Sequence, residues 1–296
     1  MKMVHSQSMI LLFHSVLEPS KLNNRFIDRP RLEMSTLQFQ HIIAQLKAKD
    51  YQFISLNELY ERLNLQDKEL MKHSFISVTF DDGFANNYMY AYPILMEHQI
   101  PFTLYVTTGY PDQEIIHVSE AIEDLVRNNH QLRFEWNGNS YVYDLSTLAN
   151  KKQAMLQIEQ QCKALRLDIQ DIVELLKINP VQYRQCGLTW GQINEMNNSP
   201  LCTIGAHTRT HPDLTVMNQL ELRSELIEPK ARLEEMIGEE VVHLAYPYGR
   251  YSESVRKAAI EAGYKMITTT QSGNVPITNV DMFALPRIYC TANMEV

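Results

Sequence analysis

Two adjacent carboxylates and a pair of histidines are the side chains in this sequence whose types and spacing are best suited to chemistry. Asp81 and Asp82 follow one apolar stretch, and His207 and His211, four positions apart, follow another. Successive residues at the end of a strand point to opposite sides, so one aspartate can bind a metal while the other serves a water molecule. Two imidazoles and one carboxylate are a sensible ligand set for a divalent metal that keeps an open coordination position.

Each of these signals also has an ordinary explanation. Asp81-Asp82-Gly83 is common turn chemistry after a strand, and with 10 histidines in the chain an accidental pair at this spacing is unsurprising. The familiar metal motif with this spacing lies on a helix and has a glutamate after its first histidine. Here Pro212 stops a helix at once, so the two imidazoles would have to converge through a turn.

A third segment, Tyr246-Pro247-Tyr248-Gly249, is typical of loops in any soluble protein. Like the acidic pair and the histidine pair, it follows an apolar stretch with the character of a strand. Because the carboxyl ends of parallel strands meet at one edge of a sheet, the sequence predicts that all three segments lie on the same face of the fold.

The elements that must position these segments alternate along the chain. We expect Leu37 on the buried face of a helix that follows Ser35, and a kink at Pro93 within another helix. The alternation predicts an α/β fold with a mostly parallel sheet covered by helices, open or closed into a barrel. Strands are expected at residues 9–13, 75–80, 102–107, 202–206, 243–246 and 264–268, and helices after Ser35 and Ser55 and over residues 85–98, 219–237 and 252–262.

Residues 109–187 interrupt this rhythm and are predicted to be an insertion within a single domain that spans residues 1–296. Asn137-Gly138-Asn139, between two alternating stretches, predicts a β-hairpin, and two charged helical stretches follow it. The insertion either packs against the rim of the barrel or forms a lid or wall that selects the substrate. Both interpretations fit the sequence.

Composition excludes some classes of function. The formal charge of -8 and the lack of a basic stripe argue against a protein that binds nucleic acid. The 4 cysteines have no CxxC spacing, which favours a reducing compartment over a disulfide framework or a thiolate zinc site. The apolar run at residues 9–13 is shorter than a signal-peptide core and far short of a membrane span. We therefore expect a cytoplasmic protein with no transmembrane segment.

Together the three segments resemble the motifs of the polysaccharide deacetylases with a NodB homology domain, carbohydrate esterase family 4. Thr79 to Gly83 match the Thr-Phe-Asp-Asp-Gly motif residue for residue, and His207 to His211 match the histidine motif. Pro247-Tyr248-Gly249 matches the Pro-Tyr-Gly loop. The resemblance covers residues 8–108 and 187–290, and it implies a distorted (β/α) barrel of about seven strands.

That resemblance implies roles for individual residues. Asp81 matches the general base, and Asp82, His207 and His211 match the ligands of a divalent metal, usually zinc but sometimes cobalt or nickel. The backbone N–H of Tyr248 matches the donor of an oxyanion hole. Physical chemistry agrees, because a divalent ion lowers the pKa of water to about 7 and a nearby carboxylate then suffices as base.

Two positions depart from the family pattern. No histidine follows His243, so the C-terminal histidine that usually supplies the general acid is missing. His14 after the first strand resembles the acid of the circularly permuted branch, which is similar to poly-N-acetylglucosamine deacetylases. Ala245 stands where an arginine commonly orients the base. We predict that His14 is the acid and that Arg287 reaches Asp81, although such a histidine is often incidental and an arginine is exposed by default.

The implied function is a metal-dependent hydrolase that removes N-acetyl groups from N-acetylhexosamine units of a polysaccharide, a glycolipid or a surface-polysaccharide precursor. Tyr246, Pro247 and Trp190 are candidate contacts for this carbohydrate substrate, although each is equally suited to packing. One alternative is hydrolysis of another small amide or cyclic imide on the same scaffold. A second is a glycan-binding pseudoenzyme, which the missing C-terminal histidine makes conceivable.

Overall fold

The computed structural model describes residues 8–49, 51–66, 73–276 and 278–291. Its strands are β1 (Met9–Phe13), β2 (Ser15–Leu17), β3 (Glu33–Ser35), β4 (Gln52–Phe53), β5 (Phe75–Phe80), β6 (Phe102–Val106), β7 (Gln131–Trp136), β8 (Asn139–Asp144), β9 (Cys202–Ala206), β10 (His243–Ala245), β11 (Met266–Thr268) and β12 (Ile288–Tyr289). Its α-helices are α1 (Pro19–Asn23), α2 (Thr36–Ala48), α3 (Leu56–Asn64), α4 (Tyr92–Glu97), α5 (Val118–Asn128), α6 (Leu148–Ala164), α7 (Ile169–Leu175), α8 (Trp190–Asn197), α9 (Gln219–Ile237) and α10 (Glu253–Glu261).

A curled parallel sheet forms the centre of the fold. Its strands lie in the order β11, β10, β9, β6, β5, β1 and β12, with β4 beside the start of β5. The segment 285–289 spans the gap between the ends of the sheet, because Leu285 pairs with Thr268 of β11 while β12 pairs with β1. This arrangement confirms the predicted distorted (β/α) barrel. The carboxyl ends of β1, β5, β9 and β10 therefore meet at one rim.

Strand parity separates the two faces of the sheet. On β5, Val78 and Phe80 belong to the large core that lies under the helices. Thr79 is turned to the opposite face, where Tyr105 and other residues pack in a second core. Asp81 follows Thr79 by two residues and therefore points to the same face, so the predicted base is directed into the barrel.

Capping residues set the ends of the longer helices. Ser35 and Asn218 cap α2 and α9 with the reciprocal bonds of a capping box, and α9 ends at Gly238 with φ of 74°. These bounds are as predicted. One expectation is wrong, because Leu37 is 64% exposed and Phe39 lies on the buried face of α2 instead. In the described part of the chain, no helix is both long enough and apolar enough to cross a bilayer.

Residues 85–97 are helical throughout, as predicted, but a π-helical turn lies within the stretch. A π-helical turn, Asn87–Ala91, passes directly into α4, and Pro93 lies in the first turn of α4. Pro93 has no N–H to donate, and it follows directly on the π-helical turn, where the α-helical hydrogen-bond pattern is already interrupted. The side-chain amide of Asn87 donates to the carbonyl oxygen of His14 at 2.5 Å, which ties the π-helical turn to the end of β1.

The insertion has a core of its own. Its strands β7 and β8 form the predicted hairpin around Asn137 and Gly138, both of which have positive φ. Apolar residues of α5, α6 and α7 pack with this hairpin and with Phe26 from the N-terminal segment, in a cluster separate from the barrel cores. Packing within the insertion therefore accounts for the apolar stripes of its helices.

A group of buried charges fastens the N-terminal segment to the insertion. Arg25 pairs with Glu33 at 2.8 Å and with Glu120 of α5. Arg29 lies 3.7 Å from Glu33 and 3.8 Å from Glu123 of α5. We call these five residues the N-terminal charge cluster, and their side chains are at most 12% exposed.

Candidate active site

The loops after β5 and β9 bring the predicted metal ligands together. Asp82 Oδ1 lies 3.3 Å from Nε2 of His207 and 3.3 Å from Nε2 of His211. One ligand atom from each residue lies within 4.8 Å of the others, and the imidazole rings meet edge to face with their centroids 4.9 Å apart. The two histidines therefore converge through a turn, as predicted.

The backbone of these loops is unusual. Thr208 and His211 have φ of 67° and 61°, and Asp82 has φ of 79°. Non-glycine residues seldom occupy this left-handed region. The Thr208 hydroxyl oxygen accepts a hydrogen bond from the His211 N–H at 3.1 Å. The left-handed residues reverse the chain sharply enough for His211 to return beside His207.

The polar atoms at this point are suited to a cation. His207 Nδ1 lies 2.8 Å from the Ala245 carbonyl oxygen, so we assign the proton to Nδ1 and a free lone pair to Nε2. Asp82 Oδ1 is buried, and no described residue gives it a hydrogen bond of acceptable geometry. Burial lowers the pKa of His211 to about 4, which favours the neutral ligand form. This donor set fits a divalent cation of the zinc type.

The other carboxylate is bound to an arginine instead. Arg287 Nη1 and Nη2 donate to the two oxygens of Asp81 at 2.6 and 2.7 Å, and both side chains are buried. Burial by itself raises the pKa of Asp81, but the Arg287 guanidinium, together with His207 and His14, outweighs that effect and holds the pKa below its ordinary value. The predicted contact is confirmed, and the default expectation of an exposed arginine is wrong at Arg287.

Polar groups of the barrel interior hold this arginine in place. Arg287 Nε donates to the Thr269 carbonyl oxygen at 2.9 Å, and Nη1 donates to the Thr79 hydroxyl oxygen at 3.2 Å. The Thr79 hydroxyl in turn donates to the Leu11 carbonyl oxygen at 2.7 Å. Thr79 has no predicted role, although its position on the same strand face as Asp81 is a usable signal.

His14 lies at the end of β1, where the sequence predicts it. Its ring is nearly parallel to that of Tyr289, with centroids 6.0 Å apart. Its Nδ1 is buried, and among the described residues it has no hydrogen-bond partner. Burial lowers the pKa of His14, while the nearby charges of Asp82 and Asp81 oppose that shift. Its role as general acid stays a prediction.

The loop after β10 contributes Tyr248 to the site but not Tyr246. Tyr248 is 55% exposed, has φ of 58°, and meets the His211 ring edge to face at 4.8 Å. Tyr246 is fully buried and stacks on Tyr251, and Pro247 is buried too. Both side chains pack into the protein, and their contact with substrate stays a prediction that this burial does not favour.

Two further rings lie on segments next to these loops. Trp190 Nε1 donates to Asp112 at 2.8 Å, and the Arg232 guanidinium lies 5.2 Å from its ring centre, so protein groups already engage this ring. Its contact with substrate stays a prediction. His117, which carries no sequence signal, stacks on Phe84 at 4.0 Å, and burial lowers the pKa of His117 to about 4.

The sequence profile of the family described as polysaccharide deacetylase matches residues 68–267 of this chain. The chain belongs to that family. Related members are hydrolases that act on amide bonds of acetylated polysaccharides, which confirms the predicted enzyme class. The match runs through residues 109–187, which lie outside the resemblance of the motifs.

Individual deacetylases show how far the likeness extends. YxkH of Bacillus subtilis (strain 168) is 22% identical over 286 residues, which cover 97% of this chain and 72% of that protein. The poly-beta-1,6-N-acetyl-D-glucosamine N-deacetylase of Staphylococcus aureus (strain MSSA476) is 26% identical over 163 residues, only 53% of this chain and 55% of that enzyme. The structure of Streptococcus pyogenes deacetylase PplD in complex with acetate has a TM-score of 0.65 at 21% identity, with 97% of this chain and 93% of PplD covered. The de-N-acetylase of Aggregatibacter actinomycetemcomitans has a TM-score of 0.64 at 16% identity, with coverage of 98% and 97%. These structures share the fold.

Proposed function

We propose that this protein is a metal-dependent hydrolase that removes N-acetyl groups from N-acetylhexosamine units of a polysaccharide, a glycolipid or a surface-polysaccharide precursor. The separation of two adjacent carboxylates carries the proposal. Asp81 is held by Arg287, whereas Asp82 faces the imidazoles of His207 and His211. One carboxylate is thus kept for proton transfer and the other for a cation, as hydrolysis of an amide by a metal and a general base requires.

Each residue of the site has a part in this reaction. Asp82, His207 and His211 would hold the divalent ion, which when bound polarises the amide carbonyl and makes water more acidic. Asp81 accepts the proton that the attacking water loses, and Arg287 keeps that carboxylate ionised and aimed. A bond forms between the water oxygen and the acyl carbon, and the bond from that carbon to the sugar nitrogen breaks. Acetate and a free amine are the products.

Two further groups act on the atoms that gain charge. His14 gives a proton to the departing sugar nitrogen, and its unpartnered Nδ1 lies in the same buried rim as the carboxylates. The backbone N–H of Tyr248 donates to the acyl oxygen as negative charge develops there. Such a donor contributes roughly 3 kcal/mol to stabilisation of the transition state in other oxyanion holes.

The relatives support the choice of substrate. The S. aureus enzyme is named for poly-beta-1,6-N-acetyl-D-glucosamine, and PplD is described in complex with acetate. An N-acetylated hexosamine is therefore our proposed substrate. Zinc is the proposed metal, with cobalt or nickel as alternatives, because imidazole and carboxylate ligands suit all three ions.

The insertion is proposed to form a wall of the substrate site. The Leu188 N–H donates to the Gly83 carbonyl oxygen at 3.0 Å, and the Gly109 N–H donates to the Arg209 carbonyl oxygen at 2.8 Å. Both ends of the insertion are thus hydrogen-bonded to the loops that carry the metal ligands. We therefore expect a sugar bound at those loops to contact the insertion.

The decisive assay measures acetate released by metal-stripped enzyme before and after addition of zinc, cobalt or nickel. The substrates are β-1,6- and β-1,4-linked N-acetylglucosamine oligomers, a set of small amides and a cyclic imide. We expect metal-dependent acetate release from the oligomers. Turnover of only the small amides or the imide would instead support a hydrolase of small amides or cyclic imides. Tight binding of the oligomers without acetate release would indicate a glycan-binding pseudoenzyme.

Variants of the ligands test the metal site itself. Asp82→Asn and His207→Ala should lose bound metal together with activity, because each removes one of three ligands. Metal content is measured by mass spectrometry after dialysis. Retention of wild-type metal content by both variants would refute the assignment of Asp82 and His207 as ligands.

A further inference from the structure

A single carboxylate outside the metal site holds the turn between the two histidine ligands. Glu225 Oε2 accepts hydrogen bonds from the backbone N–H groups of Arg209 at 2.8 Å and Thr210 at 2.9 Å. Its Oε1 accepts from the Thr210 hydroxyl at 2.7 Å. Because Glu225 belongs to α9, these three bonds fix the turn to a long helix.

The position of Glu225 on α9 would suit an apolar residue. Leu222 and Leu226 lie beside it on the same helical stripe and are fully buried, and Glu225 itself is only 6% exposed. A buried carboxylate is costly unless hydrogen bonds compensate for its lost hydration. Here the compensation comes from the turn, so this acid serves the turn rather than the packing of the helix.

The turn needs this support because its backbone is strained. Thr208 and His211 both have positive φ, and such conformations persist in non-glycine residues only where the surroundings fix them. The Thr208 hydroxyl holds the N–H of His211. Glu225 holds the two residues between them, Arg209 and Thr210.

We propose that Glu225 is a positioning residue for metal binding. By fixing the backbone of Arg209 and Thr210, it sets the His211 imidazole against Asp82 and His207. The inference rests on the metal site of the proposed function and names a residue that the ligand motif does not contain. Glu225 acts through the turn and provides no ligand atom.

Three variants separate this role from others. Glu225→Ala removes all three hydrogen bonds. Glu225→Gln keeps them without the charge, since its Oε1 accepts both N–H groups while its Nε2 donates to the Thr210 hydroxyl oxygen. Glu228→Gln is the matched control on α9, because Glu228 contacts Arg209 through the guanidinium at 3.0 Å rather than through the backbone.

The test is the dissociation constant for zinc, measured on apoprotein by competition with a chromophoric chelator. We expect Glu225→Ala to weaken zinc binding about 10- to 100-fold, as loss of a residue that orients a ligand does in other metal sites. Glu225→Gln and Glu228→Gln should stay close to wild type. The visible absorption of the cobalt-loaded protein should change in Glu225→Ala alone, because it reports the geometry of the ligands.

Several results would overturn the proposal. One is wild-type zinc affinity in Glu225→Ala, and another is Glu225→Gln binding zinc as weakly as Glu225→Ala does. If Glu225→Ala does not fold, Thr210→Val removes one bond and leaves α9 intact; weaker zinc binding then supports the proposal, and unchanged binding overturns it. A wild-type protein that binds none of zinc, cobalt or nickel would instead refute the proposed function.

Discussion

Two regions among the described residues hold buried charges that serve different ends. In the N-terminal charge cluster, Arg25 and Arg29 lie among glutamates from other segments. At the rim of the barrel, Asp81 is likewise paired with an arginine, but Asp82 faces two imidazoles. The N-terminal charge cluster joins the N-terminal segment to α5. At the rim, the Asp82 carboxylate is left without an arginine or lysine partner among the residues that the structure describes.

The difference lies in how each region satisfies its buried polar atoms. In the cluster, Arg29 Nη1 and Glu123 Oε2 lack hydrogen bonds among the described residues, yet they lie only 3.8 Å from each other and carry opposite charges. At the rim, Asp82 Oδ1 and His14 Nδ1 lack hydrogen bonds as well, and both are of the kind that binds a cation or moves a proton. In the cluster the buried groups face one another, whereas at the rim two buried atoms have no hydrogen bond from the described residues.

The largest effect on turnover is expected from Asp81→Asn. Asparagine cannot accept the proton of the attacking water, so acetate release should fall about 10²- to 10⁴-fold. Metal content should not change, because Asp82, His207 and His211 are untouched. Acetate release and metal content measured on the same sample check this, with the melting temperature as a control for the unpaired Arg287. A fully active Asp81→Asn protein would remove the distinction between the two carboxylates.

A smaller loss is expected from His14→Ala. If His14 donates the proton to the leaving nitrogen, acetate release should fall by roughly 10²-fold while metal is retained. The measurement is the rate on an N-acetylglucosamine oligomer, with metal content alongside. An unchanged rate would show that another group is the acid.

Arg287→Ala should change the pH dependence more than the rate at its optimum. Without the guanidinium, only His207 and His14 oppose the effect of burial on Asp81, so its pKa rises and the carboxylate ionises at higher pH. Because the base must be ionised, the acidic limb of the pH–rate profile should move to higher pH. Added guanidinium ion should move it back, whereas Thr79→Val, which keeps the ion pair, should leave the limb nearly in place. An unshifted limb in Arg287→Ala would make Arg287 purely structural.

The smallest effect on turnover is expected from Arg25→Met. Loss of one partner from a buried ion pair typically costs about 3–5 kcal/mol of folding free energy, so the denaturation midpoint should fall. Turnover per folded, metal-loaded molecule should match wild type, because the cluster lies outside the site. A drop in turnover without loss of stability would mean that the cluster acts on catalysis.

Features that depend on neighbouring residues were predictable from the sequence. The bounds of β1, β5, β9 and α9 agree with the prediction, because strand parity and helix caps are local signals. The convergence of Asp82 with His207 and His211 was also predictable, because parallel strands place their carboxyl ends at one rim.

Features that depend on contacts between distant segments were not predictable from the sequence. Nothing local distinguishes Tyr246, which is buried, from Tyr248, which lies two residues later and is exposed. The bonds from Glu225 to the histidine turn join residues that are about 15 positions apart in sequence, beyond the reach of capping rules. Leu37 fitted the apolar period of α2, but Phe39 fills that space in the folded chain.

The attachment of the insertion limits how this enzyme can be re-engineered. A chimera that exchanged residues 109–187 for those of a relative would replace Gly109 and end next to Leu188, and the backbone N–H groups at these two positions bond to the loops carrying the ligands. Any graft must therefore keep both junctions. Even one added methyl group at Gly109 would lie 2.6 Å from the Arg209 carbonyl oxygen, so a substitution at this junction would also disturb the histidine turn.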